Sequence, residues 1–121
     1  MKVLLDENIP HDLRTLLAHH DTFTVAYMGW GGLKNGRLLD TAEGAGFDVL
    51  IRGDKTLEYE QNLAHRSIAL VALSAVNWPV IEPHVGKVIY ALDCAQPGTI
   101  IRVECGTFNR RRPKPPELGS G

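Results

Sequence analysis

The run IALVALS (68–74) carries no charge and no helix-sized polar face. A short, continuous apolar run of this kind is stable as a strand only where both faces of its sheet are covered. KVLLD (2–6) and DVLIR (48–52) are built the same way, and each ends on a charged residue. TFTVAYM (22–28) is β-branched and aromatic, and TIIRVE (99–104) follows the turn residues QPG; both read as strands.

Helical spacing fills the intervals. In IPHDLRTLLAHH (9–20), Leu13, Leu16 and Leu17 share a face, and Pro10 suits a first helical turn. GRLLDTAEGAG (36–46) places Leu38, Leu39 and Ala42 together and ends on Gly46. DKTLEYEQNLA (54–64) opens on a capping Asp54, and residues 80–92 line up Val80, Ile81, Val85, Val88, Ile89 and Leu92. Alternation of strand and helix predicts an α/β fold: a three-layer α/β/α sandwich on a mostly parallel sheet of about five strands.

The chain has 121 residues, enough for one domain with a sizeable core and no more. Residues 1–108 form that domain by this reading. Residues 109–121 are Pro-rich and basic with no apolar period, which predicts a flexible tail. The net charge of -1 supplies no global field for nucleic acid, so an RNA partner needs local basic groups. The two cysteines, Cys94 and Cys105, match no CxxC or zinc spacing and read as thiols in a reducing cytoplasm. No signal peptide or membrane-length apolar run is present, which predicts a cytoplasmic protein without a membrane partner.

Parallel sheets of this class do their chemistry beyond the carboxyl ends of the strands. Strand one ends at Asp6, followed by Glu7 and Asn8. Strand three ends near Arg52, Gly53 and Asp54, with Lys55 next. Strand four ends at Ser74, with Asn77 beyond, and the Gly-rich loop GWGGLKNG (29–36) leads into Lys34 and Asn35. Clustered carboxylates repel one another, and a divalent cation relieves this; all-oxygen donors suit Mg²⁺ or Mn²⁺.

Asp6, Asp54 and Glu7 are the candidate catalytic residues, and Asp6, Asp54 and Asn35 the candidate metal ligands. Asn8, Lys34, Arg52, Lys55 and Asn77 are candidates for holding substrate phosphate or ribose. Ordinary roles compete with these. Asp6 or Asn8 could cap the helix near Pro10, and Asp54 could cap its own helix. Arg37, Arg52 and Arg66 could be solvated charges flanking the acidic edge, and Asp40 and Glu43 simply exposed.

Three stretches together carry a family likeness: KVLLDENIPHDLRTLL, MGWGGLKNGRLLDTAEGAGFDVLIRGD and YEQNLAHRSIALVALSAVNW. Over most of residues 2–78 the chain resembles the small bacterial PIN-like proteins of the toxin-associated type, distant relatives of PIN-domain ribonucleases. The resemblance implies a metal-dependent endoribonuclease, often the toxin of a toxin–antitoxin pair. RNA and a cognate antitoxin protein would be its partners, and a homodimer is compatible with it. Asp6 matches the first metal-binding aspartate, Asp54 the one after strand three, and Asn8 the amide of the first motif.

The acidic set is thinner than in many relatives. Asn35 and Thr56 stand at two positions that are often acidic, and Arg52 and Gly53 precede Asp54 where a threonine is common. A non-catalytic module binding RNA or a partner protein therefore stays open beside the nuclease. A receiver-like phosphoacceptor domain ranks third, because strand five runs on as TIIRVECG without the lysine that receivers carry at that strand's end.

Overall fold

The computed structural model describes residues 1–17, 19–33, 35–53 and 63–106. Five strands form one wholly parallel sheet: β1 (Lys2–Leu5), β2 (Asp21–Thr24), β3 (Val49–Gly53), β4 (Ala69–Leu73) and β5 (Ile100–Val103). Their spatial order is β2-β1-β3-β4-β5. The helices are α1 (Asp12–Leu16), α2 (Val25–Met28), α3 (Asn35–Gly44), α4 (Trp78–Ile81) and α5 (Val85–Cys94).

Successive residues of a strand face opposite sides of the sheet. Here those alternate sets feed two separate apolar clusters. Val3, Leu5, Val49, Ile51, Val71 and Leu73 pack with Leu13 of α1 and with Ile81, Val88 and Leu92 of α4 and α5. Leu4, Leu50 and Leu70 pack on the other side with Val25 of α2, Leu38, Leu39 and Ala42 of α3, and Phe47. Both β3 and β4 are buried along their whole length. This is the covered-on-both-faces sheet that the apolar runs require, and each fully buried leucine contributes about 1.5–3 kcal/mol.

The connections do not all turn the same way. From β1 to β2 the chain steps toward one edge of the sheet, with α1 on the first face. From β4 to β5 it steps toward the opposite edge, yet α4 and α5 lie on that same first face. These two crossovers therefore have opposite hands. The β2-to-β3 connection, with α3 on the second face, shares the hand of β1-to-β2. The β4-to-β5 unit is the odd one, against a strong general preference for a single hand.

Three sequence expectations need correction. TFTVAYM is not one strand: β2 stops at Thr24, whose hydroxyl accepts a hydrogen bond from the Tyr27 N–H and caps α2. Gly29, at φ 76°, ends that short helix in the left-handed region. Helix α1 is only Asp12–Leu16, with Pro10 ahead of it instead of inside it, although the Leu13 N–H still reaches the Pro10 carbonyl. The expected helix 80–92 is α4, a 3-10 turn at Glu82–His84 containing Pro83, and α5. Proline cannot donate to the preceding turn, which divides the helix there. Residues 54–62, which hold most of the expected helix 54–64, and residues 107–121 lie outside the described residues. Among the described residues, no helix is long and apolar enough to cross a membrane.

Candidate functional site

In a parallel sheet every carboxyl end lies on one edge, so the ends of β1, β3 and β4 share it. The register is Leu5 beside Ile51, and Arg52 beside Ala72. Asp6 is one residue past Leu5, so it stands level with Arg52. Ladder neighbours in register point the same way, and strands are about 4.8 Å apart. The result is an ion pair: Arg52 Nη2 lies 3.1 Å from Asp6 Oδ2.

The pair is largely dry, with the Arg52 side chain 7% exposed and that of Asp6 14%. Ala72 on the far side of Arg52 is small and buried, so the register puts little bulk beside the guanidinium. The other Asp6 oxygen, Oδ1, accepts the Glu7 N–H at 2.8 Å. The Asp6 N–H donates to the Ile51 carbonyl, and the Asp6 carbonyl accepts from Ile9. Asp6 therefore stabilises the bend of its own backbone beyond β1.

It does not cap α1, and neither does Asn8. The N-cap of α1 is His11, which makes no side-chain capping bond. Arg52 is not a solvated charge either, since it is buried in a strand whose other members are apolar or glycine.

Two close approaches gather the surrounding loops. A Cβ on Gly31 would stand 2.6 Å from Glu7 Oε2, so the Gly-rich loop lies directly against the Glu7 carboxylate. A Cβ on Gly53 would stand 3.1 Å from Val76 Cγ1, so the end of β3 lies against the segment leaving β4. Glu7, Asn8 and Asn77 are exposed. Asn77 precedes α4 and accepts the Val80 and Ile81 N–H groups with its carbonyl, leaving its side chain uninvolved in that cap. Trp30 is partly buried and packs edge-on against Phe47, with centroids 5.8 Å apart.

Of the candidate residues, Asp6, Glu7, Asn8, Arg52 and Asn77 are thus carried on one sheet edge by adjoining strands and loops. Asp54, Lys55 and Lys34 lie outside the described residues, as does the side chain of Asn35. The described donors do not fit a divalent ion as they stand. Both Asp6 oxygens are engaged, and among the described residues no group of three His, Cys, Asp or Glu side chains could hold a metal.

Arg66 does not flank this edge. It precedes β4, at the amino side of the sheet, where its Nη1 lies 2.8 Å from Asp40 Oδ1 and 2.7 Å from Glu43 Oε1. Glu43 Oε2 also accepts the Ser67 N–H at 2.6 Å. Asp40 and Glu43 are consequently structural partners, not idle surface acids. Burial alone would raise the Glu43 pKa, but the Ser67 N–H and the Arg66 guanidinium together hold it below its ordinary 4.5. The hydrogen bond to Asp40 leads the effects that raise Arg66 above its usual value.

A groove of about 490 Å³ between α5 and β5, lined by Tyr90, Ala91, Ile101 and Val103 among others, contains none of the carboxyl-edge candidates. Chemistry, not concavity, singles out the edge at Asp6.

Two participants escaped the sequence reading. Arg52 as the counter-ion of Asp6 had a signal: a charge inside a buried apolar strand requires a partner. Gly31 as the seat of Glu7 had none, because several glycines share that loop. No family model, curated protein or solved structure matches the chain.

Proposed function

We propose that this chain is a PIN-like endoribonuclease that hydrolyses RNA phosphodiester bonds, acting as the toxin of a pair with a cognate antitoxin protein. The observation that carries the reading is the position of Asp6 and Glu7 at the carboxyl end of β1, which adjoins β3. The sheet order reverses between those two strands, and ligands of doubly wound sheets bind outside the carboxyl ends at such a switch.

In this reading Asp6, Asp54 and Asn35 are the residues that would hold Mg²⁺ or Mn²⁺. Such an ion, when bound, supplies a water of lowered pKa and a counter-charge for the phosphate. The chain's own groups do the remainder. Glu7, an exposed carboxylate beside Asp6, accepts a proton. Asn8 and Asn77 offer amides to ribose and phosphate, and Lys34 and Lys55 offer cations to the RNA backbone.

The test is cleavage of a mixed-sequence RNA in the presence of Mn²⁺. Cleavage by the parent and its loss in both Asp6→Ala and Asp54→Ala is the expected result. Equal cleavage by parent and variants would remove the mechanism. A second reading, a non-catalytic module that binds RNA or a partner protein, is favoured by the ion pair, because Arg52 already balances the charge of Asp6. RNA bound by the parent without cleavage is the outcome that selects it.

A further inference from the structure

We infer that β5, at one edge of the sheet, docks against β5 of a second copy of this chain. The two strands run antiparallel about Val103, so that Arg102 of each copy stands opposite the partner's Glu104. This interface is independent of the nuclease reading.

The two edges of the sheet are finished differently. At the β2 edge, Arg14 Nε covers the Thr22 carbonyl and Asp21 is exposed. An occupied acceptor and a charge both discourage strand addition. At the other edge, three of the four residues of β5 are apolar, and Ile100 and Ile101 are only half-buried. The groove beside it, about 490 Å³, runs along α5, where Tyr90 is 69% exposed. An apolar edge of this kind is a template for another strand.

The backbone determines which residues can pair. The Thr99 carbonyl accepts the Leu70 N–H, and the Val103 carbonyl accepts the Ser74 N–H. The Cys105 N–H turns inward as well, to Ser74 Oγ. Backbone groups alternate in direction along a strand, so those of Ile100, Arg102 and Glu104 turn toward the edge. In an antiparallel pair, two such residues opposite each other exchange both backbone hydrogen bonds. Lys87 Nζ already donates to the Glu104 carbonyl at 3.1 Å, and a carbonyl has a second lone pair for a partner's N–H.

Charge then selects the register. Pairing about Arg102 sets two arginines opposite each other, which is unfavourable. Pairing about Ile101 sets each Arg102 opposite an isoleucine and each Glu104 opposite Gly98. Pairing about Val103 sets Arg102 opposite Glu104 twice, and the same residues supply the backbone bonds that join the copies. Val103 packs on the side of the sheet that α5 covers, so Arg102 and Glu104, its neighbours along the strand, share the opposite side. The contact uses the same residues in both copies and closes as a two-fold dimer.

The test is sedimentation velocity of the full chain over a dilution series at neutral pH. The parent, Arg102→Glu, Glu104→Arg and the Arg102→Glu/Glu104→Arg double variant are compared. The parent should dimerise. Each single swap replaces two attractive pairs with two like-charge pairs and should weaken the dimer by about tenfold or more. The double variant should recover it, because both pairs are again opposite in sign. An equimolar mixture of the two single variants should dimerise as well, since one copy then brings two acids to the seam and the other two bases.

A parent that stays monomeric at every concentration overturns the inference. So does a single variant that dimerises as well as the parent, a double variant that does not recover, or a mixture that stays monomeric. Both residues are exposed, and near-UV circular dichroism checks that each variant folds. If a single variant does not fold, the parent decides. Amide exchange at Arg102 and Glu104 must then slow as protein concentration rises, and unchanged exchange there overturns the inference.

Discussion

Two arginines hold the two ends of the same sheet, and they are used differently. At the amino side, Arg66 bridges Asp40 and Glu43 of α3 to the start of β4, with its side chain 16% exposed and that of Glu43 20%. It joins elements that the chain connects only through residues 45–65. At the carboxyl edge, Arg52 meets Asp6 on the neighbouring strand in a drier setting. The first contact is a tie between helix and sheet. The second neutralises an acid at the place where a sheet of this kind binds its ligand. Similar chemistry ties a helix to the sheet at one end and joins the ends of two adjoining strands at the other.

The largest expected effect comes from breaking the drier pair. Arg52→Ala leaves Asp6 partly buried without its cation and should cost about 3 kcal/mol in urea unfolding. Replacing both partners, as in Asp6→Asn/Arg52→Met, should recover most of that loss, because the isolated charge is gone. A double variant as unstable as Arg52→Ala would mean that Arg52 acts mainly by packing.

Arg66→Ala should cost less, about 1–2 kcal/mol, since its partners are nearer solvent. A loss larger than that of Arg52→Ala would reverse the ranking of the two ends.

The pH dependence sharpens the same contrast. Glu43 is held below its ordinary 4.5 in the folded chain, so its contribution is fully present above that value. It disappears as pH falls through the lower folded value. Glu43→Gln should therefore flatten the loss of stability on that acid side, measured as urea midpoints from neutral pH downward. An unchanged slope would show that the Arg66 tie does not titrate through Glu43.

The smallest effect belongs to a third arginine, at the β2 edge of the sheet. Arg14 Nε donates to the Thr22 carbonyl at 2.9 Å. This covers an outward-facing acceptor on an edge strand. Arg14→Ala should cost about 0.5–1 kcal/mol and speed amide exchange in β2 more than in β3. Equal acceleration in both strands would show a global effect instead of a local one.

Much of the fold was legible along the chain. KVLLD, DVLIR and IALVALS read as strands of a mostly parallel sheet, and the leucines of α3 announced one apolar face. The errors fell where local chemistry overrode pattern. The β-branched TFTVAYM became half helix because the Thr24 hydroxyl caps the Tyr27 N–H. The 80–92 period was real, but Pro83 divided it.

The site was legible as positions more than as partners. The chain order alone placed Asp6, Glu7 and Asn77 at strand ends. Nothing linear tells that Arg52 and Asp6 touch, or that Glu43 holds Ser67 and Arg66, because those pairings depend on which strands and helices adjoin.

By itself the sequence determined the kind of sheet, its covered faces and the edge on which acids gather, because these follow from residue periodicity and strand direction. Tertiary structure decided the order β2-β1-β3-β4-β5, and with it the register that sets Asp6 level with Arg52. A carboxylate at the end of LLDEN could have stood in water, capped a helix or waited for a metal. It meets a guanidinium because strand pairing is a long-range choice, made by packing across the whole core.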